Sequence, residues 1–252
     1  MSFDVAGDAY DRFMGIYSHP LAEHLAEWMQ VAPGQRVLDV GCGPGALTGQ
    51  LVARAGADRV CAVDPSESFV EVCRSRYPGV DVRRGTADSL PFGDDTFDAV
   101  AACLVVHFMP DSVAGISEMA RVTRAGGWTA ATVWDLAGSR APMWPVWAAF
   151  AEVRPGGLAE QHLPVGTGGE LLRMFEAAGI SDAEAVEVPV SVTHASFEEW
   201  WEPYLKGVGP IGEELAALDP TDRQRIRDLC HERLGDGPFD VTAVAYAVRG
   251  RA

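Results

Sequence analysis

An apolar run, Val37-Leu-Asp-Val40, leads into Gly41-Cys-Gly-Pro-Gly45 and then Ala46-Leu-Thr48. Asp39 puts a carboxylate near the end of that run. Glycines at 41, 43 and 45 let the chain turn sharply and let a ligand approach with no Cβ in the way. Asp64 closes a second apolar run about 20 residues further on, where a carboxylate accepts hydrogen bonds from both hydroxyls of a ribose. Read as G-x-G-x-x-G/A with Ala46 last, the loop also fits a dinucleotide site, and a plain strand-to-helix turn is the third reading. His107, in Val105-Val-His-Phe-Met-Pro110, is the candidate general base because histidine titrates near neutral pH; a histidine bonded to the backbone is the structural alternative. His19 and Asp135 are weaker candidates for the same role.

The elements that must hold these groups alternate. Strands are expected over 35–40, 59–63, 80–84, 97–106 and 128–134. The run 97–106 is apolar throughout, as in a parallel strand covered on both faces. Between them, Leu47, Leu51 and Val52 mark a helix over 46–55. Ser66 is placed to N-cap a helix carrying Phe69, Val70 and Cys73, which ends near Tyr77-Pro78-Gly79. Val113, Ile116 and Met119 mark a helix over 111–124, ended by Gly126-Gly127. This alternation means βαβ units and a parallel sheet, and right-handed crossovers make it doubly wound. The second half differs. Residues 138–169 are rich in Pro, Gly and Trp with one helix over 143–153; helices follow over 170–179, 197–206 and 222–234. Strands are expected over 185–194, where Val186, Val188, Val190 and Val192 alternate, and over 239–248.

Composition narrows the partners. With 252 residues, 48% of them hydrophobic, the chain suffices for one core, so a single domain over 1–252 is expected. Twenty Lys and Arg stand against 36 Asp and Glu, a formal charge of −16, which opposes binding to a phosphate backbone and argues against nucleic acid. The dense basic spots are Arg83-Arg84 and the set Arg223, Arg225 and Arg227. Five cysteines without a C-x-x-C pair, and a polar opening segment, point to free thiols in a reducing cytoplasm. No apolar run reaches the roughly 20 residues a membrane span needs, so no membrane association is expected. No residues have zinc-ligand spacing, and no metal is expected.

The stretch Gly85-Thr-Ala-Asp-Ser-Leu-Pro-Phe-Gly-Asp-Asp-Thr-Phe-Asp98 separates the readings. Together with Asp39 to Gly45 and Asp64, its Ala87-Asp88-Ser89-Leu90-Pro91-Phe92 resembles the D-x-G-C-G-x-G, acid, A-[ED]-x-L-P-F series of class I S-adenosylmethionine-dependent methyltransferases. The resemblance is strongest to the subgroup with the ubiquinone and menaquinone C-methyltransferases, and the motifs cover about residues 35 to 135. It implies an α/β, Rossmann-like, doubly wound seven-stranded sheet, parallel with an antiparallel last strand, and a small helical lid insert. It implies S-adenosyl-L-methionine as cofactor and S-adenosyl-L-homocysteine as product. By the same resemblance Gly41, Cys42 and Gly43 face the methionine part, with Asp39 near its amino group. Asp64 and Pro65 flank the ribose, Thr86, Ala87 and Asp88 border the adenine, and Cys103 and Leu104 lie beside the sulfonium. Ala9-Tyr-Asp-Arg-Phe-Met-Gly-Ile-Tyr-Ser18 resembles the relatives' opening that folds over the cofactor, which makes 1–30 a lid and Tyr10, Tyr17 and Ser18 its contacts. Two positions depart from the pattern: Thr86 stands where many relatives carry Asp, and Ile16 where many carry Arg.

Methyl transfer is an in-line displacement for which alignment supplies much of the rate, so a catalytic triad is not required. The expected acceptor is a small molecule, with the chain as a monomer or homodimer. Its pocket is expected from the N-terminal segment and the substrate-side insertions 138–169 and 196–236; in or beside these, Trp134, Trp144, Trp147, Trp200, Trp201 and Tyr204 either line the site or pack the lid. An NAD(P)-dependent oxidoreductase explains the glycine loop and Asp64 but not the 85–98 stretch. A protein that uses the sulfonium for non-methylating chemistry stays open.

Overall fold

The apolar runs pair as adjacent strands because their backbone groups can be satisfied in a ladder while both faces are covered by helices. The computed structural model describes residues 10–156 and 166–252. Residues 1–9 of the expected lid and 157–165 of the expected insert lie outside the described residues. A π-helical turn, Asp11–Gly15, opens into α1 (Ile16–Trp28). Then come β1 (Val37–Val40), α2 (Ala46–Ala55), β2 (Val60–Asp64), α3 (Glu67–Arg76), β3 (Asp81–Arg84), β4 (Phe97–Cys103), α4 (Ser112–Val122) and β5 (Thr123–Trp134). The second half supplies α5 (Trp144–Val153), α6 (Gly168–Ala177), β6 (Glu184–His194), α7 (Phe197–Trp201), α8 (Gly209–Ala217), α9 (Pro220–Leu234) and β7 (Phe239–Arg251). Among the described residues the seven strands form one sheet in the order β3-β2-β1-β4-β5-β7-β6. The first five are parallel, and β7 runs antiparallel between β5 and β6.

Alternation along the strands sends residues to two cores. Leu38, Val100 and Ala102 face Ile116 and Met119 of α4 and Leu171 and Phe175 of α6. Val37, Ala99 and Ala101 face Leu25 of α1 and Leu47 and Leu51 of α2. Each such large side chain, fully buried, contributes about 1.5–3 kcal/mol. Ser66 caps α3 as expected, accepting from the Phe69 N–H. Among the described residues no helix is long and apolar enough to cross a membrane.

Three boundaries differ from the sequence pattern for local reasons, and one helix is additional. The strand expected over 97–106 stops at Cys103 because Leu104 turns into the left-handed region (φ 63°) and Val106–Phe108 coils into a 3₁₀ turn. Gly126 and Gly127 do not end a helix. The helix closes at Val122, and Thr123 already pairs with Phe97 across a break in register. The helix expected over 197–206 is α-helical only to Trp201 and tightens to 3₁₀ over Glu202–Lys206, where Pro203 withholds an N–H. Helix α8 has no counterpart in the sequence reading, since Gly207, Gly209, Pro210 and Gly212 read as loop.

Candidate active site

The site lies beyond the carboxyl ends of β1, β2 and β4, beside the point where strand order reverses at β1. The 41–45 loop is clamped to β2: the N–H groups of Gly41 and Cys42 both donate to the Val63 carbonyl, at 2.7 and 3.0 Å. All three loop glycines have positive φ, but they answer to different neighbours. A Cβ on Gly41 would sit 2.5 Å from both γ-methyls of Val105, and one on Gly45 2.5 Å from the Tyr77 ring, whereas one on Gly43 would meet nothing within 4 Å. Two glycines thus serve packing and the middle one faces open space. Gly41→Ala is expected to cost about 2–4 kcal/mol through left-handed strain plus displacement of Val105, read as a lowered Tm of the ligand-free protein.

Around this loop a cleft of about 760 Å³ is lined by Tyr10, Ser18, Asp39, Gly41, Cys42, Gly43, Asp64, Pro65, Phe69, Cys103, Leu104 and Phe108, among others. Asp39 is 1% exposed; its Oδ2 accepts the Thr48 hydroxyl at 2.6 Å, and its Oδ1 has no hydrogen-bond partner. Burial pushes this carboxyl up to about 7. A buried, unpartnered carboxylate oxygen suits a ligand cation. Asp64 accepts the Gly43 N–H on Oδ2 and the Ser66 N–H on Oδ1, both at 2.8 Å. Burial raises its carboxyl above the ordinary range, and those two N–H bonds offset part of that rise. A carboxylate has about four lone-pair positions, so each oxygen retains capacity for a ligand hydroxyl.

The cleft continues past Gly41, Pro65, Val105 and Phe108 into a lobe of about 620 Å³ lined also by Gly85, Thr86, Ala87 and Asp88. Thr86 and Asp88 are exposed there, next to the half-buried Ala87. The thiols in the cleft are not poised as nucleophiles. Burial pushes Cys103 up to about 12, and a hydrogen bond with Cys73, followed by burial, raises Cys42.

Residues 38–131 match the family model described as a methyltransferase domain. Over that stretch the chain is similar to a methyltransferase domain. Among its relatives, an uncharacterized methyltransferase of Mycobacterium bovis is 40% identical over 127 residues, 50% of this chain and 49% of the relative. A demethylmenaquinone methyltransferase of Lysinibacillus sphaericus is 32% identical over 133 residues, 50% of this chain and 57% of the relative. The chain thus spans about half the length of these curated relatives. The crystal structure of the YcgJ protein of Bacillus subtilis shares the fold, at 19% identity and a TM-score of 0.61, over 92% of this chain and 98% of that one.

The fold brings Asp39, Gly41, Cys42, Gly43, Asp64, Pro65, Cys103 and Leu104 to one cleft, with Thr86, Ala87 and Asp88 in its side lobe. From the N-terminal segment, Tyr10 and Ser18 reach the cleft: Tyr10 packs edge-on against Phe69 at 5.5 Å, and the Ser18 hydroxyl donates to the Met14 carbonyl at 3.0 Å. Tyr17, expected among the cofactor contacts, is not among the residues that line the cleft. It is 2% exposed and its hydroxyl is bonded to His194 Nε2 at 2.8 Å, so it ties α1 to the end of β6 instead of facing the cleft. Phe69 was not visible as a cleft residue in the sequence, where its helical spacing marks it as core. Val105 was equally hidden, because the start of the turn after β4 reads as more strand, and nothing in the sequence turns Phe108 toward the cleft.

A second cavity, of about 490 Å³, shares Tyr10, Leu104 and Phe108 with the cleft and adds His107, Phe13, Met14, Trp134, Leu136 and Met143, closed by the 208–210 segment at the start of α8. His107 is 6% exposed, its Nδ1 has no hydrogen-bond partner, and burial pushes the ring down to about 4. The other base candidates fall away. His19 is exposed on α1, and Asp135 is held by Arg140 and by the Gly138 N–H at 2.8 Å. Trp147, Trp200, Trp201 and Tyr204 are buried in packing, with Trp200 and Tyr204 centroids 5.1 Å apart.

Proposed function

We propose that this protein is an S-adenosyl-L-methionine-dependent methyltransferase acting on a small-molecule acceptor. The observation that carries the reading is the buried, unpartnered Asp39 oxygen in a cleft built on the glycine loop of a methyltransferase domain. In this reading Asp39 takes the amino group of the cofactor's methionine part and Asp64 the ribose hydroxyls, with Gly43 leaving room for the chain between them. The side lobe at Thr86, Ala87 and Asp88 takes the adenine, and Tyr10 and Ser18 cover the cleft. The cofactor, when bound, supplies an electrophilic methyl group on a positively charged sulfur. The chain's own part is alignment and the exclusion of water, and Leu104, buried and left-handed, stands between cleft and second cavity. Such a backbone conformation in a bulky residue persists only where surrounding structure enforces it, and here the Leu104 N–H is held by the carbonyl and hydroxyl of Thr132, both at 3.1 Å. His107 is neutral at physiological pH and can accept a proton on the cavity side. The described parts of the expected insertions contribute Met143, Val208, Gly209 and Pro210 to that cavity, in keeping with a substrate-side lid on one domain.

The test is incubation with methyl-labelled S-adenosylmethionine and a protein-free cell extract. The expected result is label in an organic-soluble small molecule with an equal amount of S-adenosylhomocysteine. Cofactor binding with no label transferred to any extract component would count against methyl transfer.

A further inference from the structure

We infer that the second cavity is a binding site for a neutral, apolar phenol-type molecule whose hydroxyl hydrogen-bonds to the His107 imidazole. The inference rests on the reading above for its role, as the acceptor site, but stands on its own geometry. The lining comes from four separate elements: the π-helical turn and α1 entry (Tyr10, Phe13, Met14), the turn after β4 (Leu104, His107, Phe108), the end of β5 and its exit (Trp134, Leu136), and Met143 with the start of α8. Among the described residues, none of those lining the cavity is Asp, Glu, Lys or Arg. A ligand carboxylate or ammonium entering here would lose its water and gain no countercharge, which costs far more than a neutral group.

The polar groups that remain choose the ligand's functional group. His107 Nδ1 is buried and unpartnered, and an unmade hydrogen bond there is a standing cost that a ligand donor removes. Burial, acting alone, disfavours the charged imidazolium. A neutral imidazole of low basicity matches a hydroxyl that is itself weakly acidic, as on an aromatic ring, better than an aliphatic alcohol. The walls agree: Tyr10, Phe13, Phe108 and Trp134 line the cavity with aromatic rings, which suit a flat apolar guest. The shared boundary at Tyr10, Leu104 and Phe108 puts such a guest next to the cofactor cleft.

The test uses three probes of one shape, 2-naphthol, naphthalene and 2-naphthoate, titrated into the full chain with and without saturating S-adenosylhomocysteine and followed by tryptophan fluorescence. The expected order is 2-naphthol tightest, naphthalene about 3–10-fold weaker for want of one hydrogen bond, and 2-naphthoate weaker by about a hundredfold or more. In His107→Phe the preference for naphthol over naphthalene should vanish. In Met143→Trp, which puts a larger side chain on the cavity wall, all three should weaken. S-adenosylhomocysteine binding, unchanged in both variants, shows that they fold. Naphthoate binding as tightly as naphthol, or a naphthol preference that survives His107→Phe, would overturn the inference. Homocysteine-form binding without naphthol binding would defeat this site while sparing the proposed function. Naphthol binding with no S-adenosylhomocysteine binding would do the reverse.

Discussion

Replacing Asp39 with Asn should raise the Tm of the ligand-free protein at pH 8 while weakening S-adenosylmethionine binding by about a hundredfold or more. The two effects have one origin. Asp39 is 1% exposed and burial pushes its carboxyl up to about 7, well above the ordinary carboxylate range. A raised folded-state value means that the folded protein holds a proton the unfolded chain has released. The associated stability is present below about pH 4 and is lost as pH rises toward 7. The loss amounts to at most about 4 kcal/mol and persists above pH 7. Asparagine does not ionise, so the variant escapes it. A cationic amine at Oδ1 removes the same penalty in the parent protein. Affinity for the cofactor should therefore climb as pH rises from 5 to 7 and level off above. Calorimetry at pH 6, repeated in buffers of different ionisation enthalpy, should show release of close to one proton per ligand bound. A flat pH profile with no proton release would mean that Asp39 does not meet the ligand's charge. Thermal unfolding of the Asn variant at pH 8 reads the other half.

Asp64→Ala is the second large effect. The carboxylate accepts from Gly43 N–H and Ser66 N–H, so truncation removes the ribose acceptors and also orphans two backbone donors at the glycine loop and the α3 cap. Hydrogen bonds to a charged group contribute about 1.5–3 kcal/mol each, so losing two ligand hydroxyl contacts should weaken cofactor binding by at least about a hundredfold. The freed N–H groups should cost about 1–3 kcal/mol of stability besides. Asp64→Asn, which keeps one acceptor oxygen, should fall between the two. An Asp64→Ala variant that binds S-adenosylhomocysteine as the parent does would place the ribose elsewhere.

The core of this site was legible because its residues are consecutive or sit at strand ends. Asp39, the glycine loop and Asp64 follow from apolar runs and their terminations, and the parallel sheet follows from the alternation of strand and helix. What stayed hidden depends on contacts between distant segments. Nothing in the spacing of three glycines tells that Gly45 accommodates Tyr77 while Gly43 faces open space. Tyr17 and Ser18 are neighbours in an opening motif, yet one helical step separates a residue facing the cleft from one bonded to His194, 177 positions away. Leu104 looks like one more residue of an apolar strand, and only the structure places it at φ 63° between two cavities. The tryptophans of the second half gave composition without direction, and most of them pack the cap together, leaving Trp134 as the one that lines the second cavity among the described residues.

The central claim is that the cleft at Asp39 and Asp64 takes S-adenosylmethionine and not a nicotinamide dinucleotide. The measurement is parallel calorimetric titration of the purified chain with S-adenosylmethionine, S-adenosylhomocysteine and NADH, with Asp64→Ala beside it. Saturable binding of the first two, lost together in the variant, with no heat from NADH, is the predicted result. Saturable NADH binding that Asp64→Ala abolishes, with neither sulfur ligand bound, would contradict it.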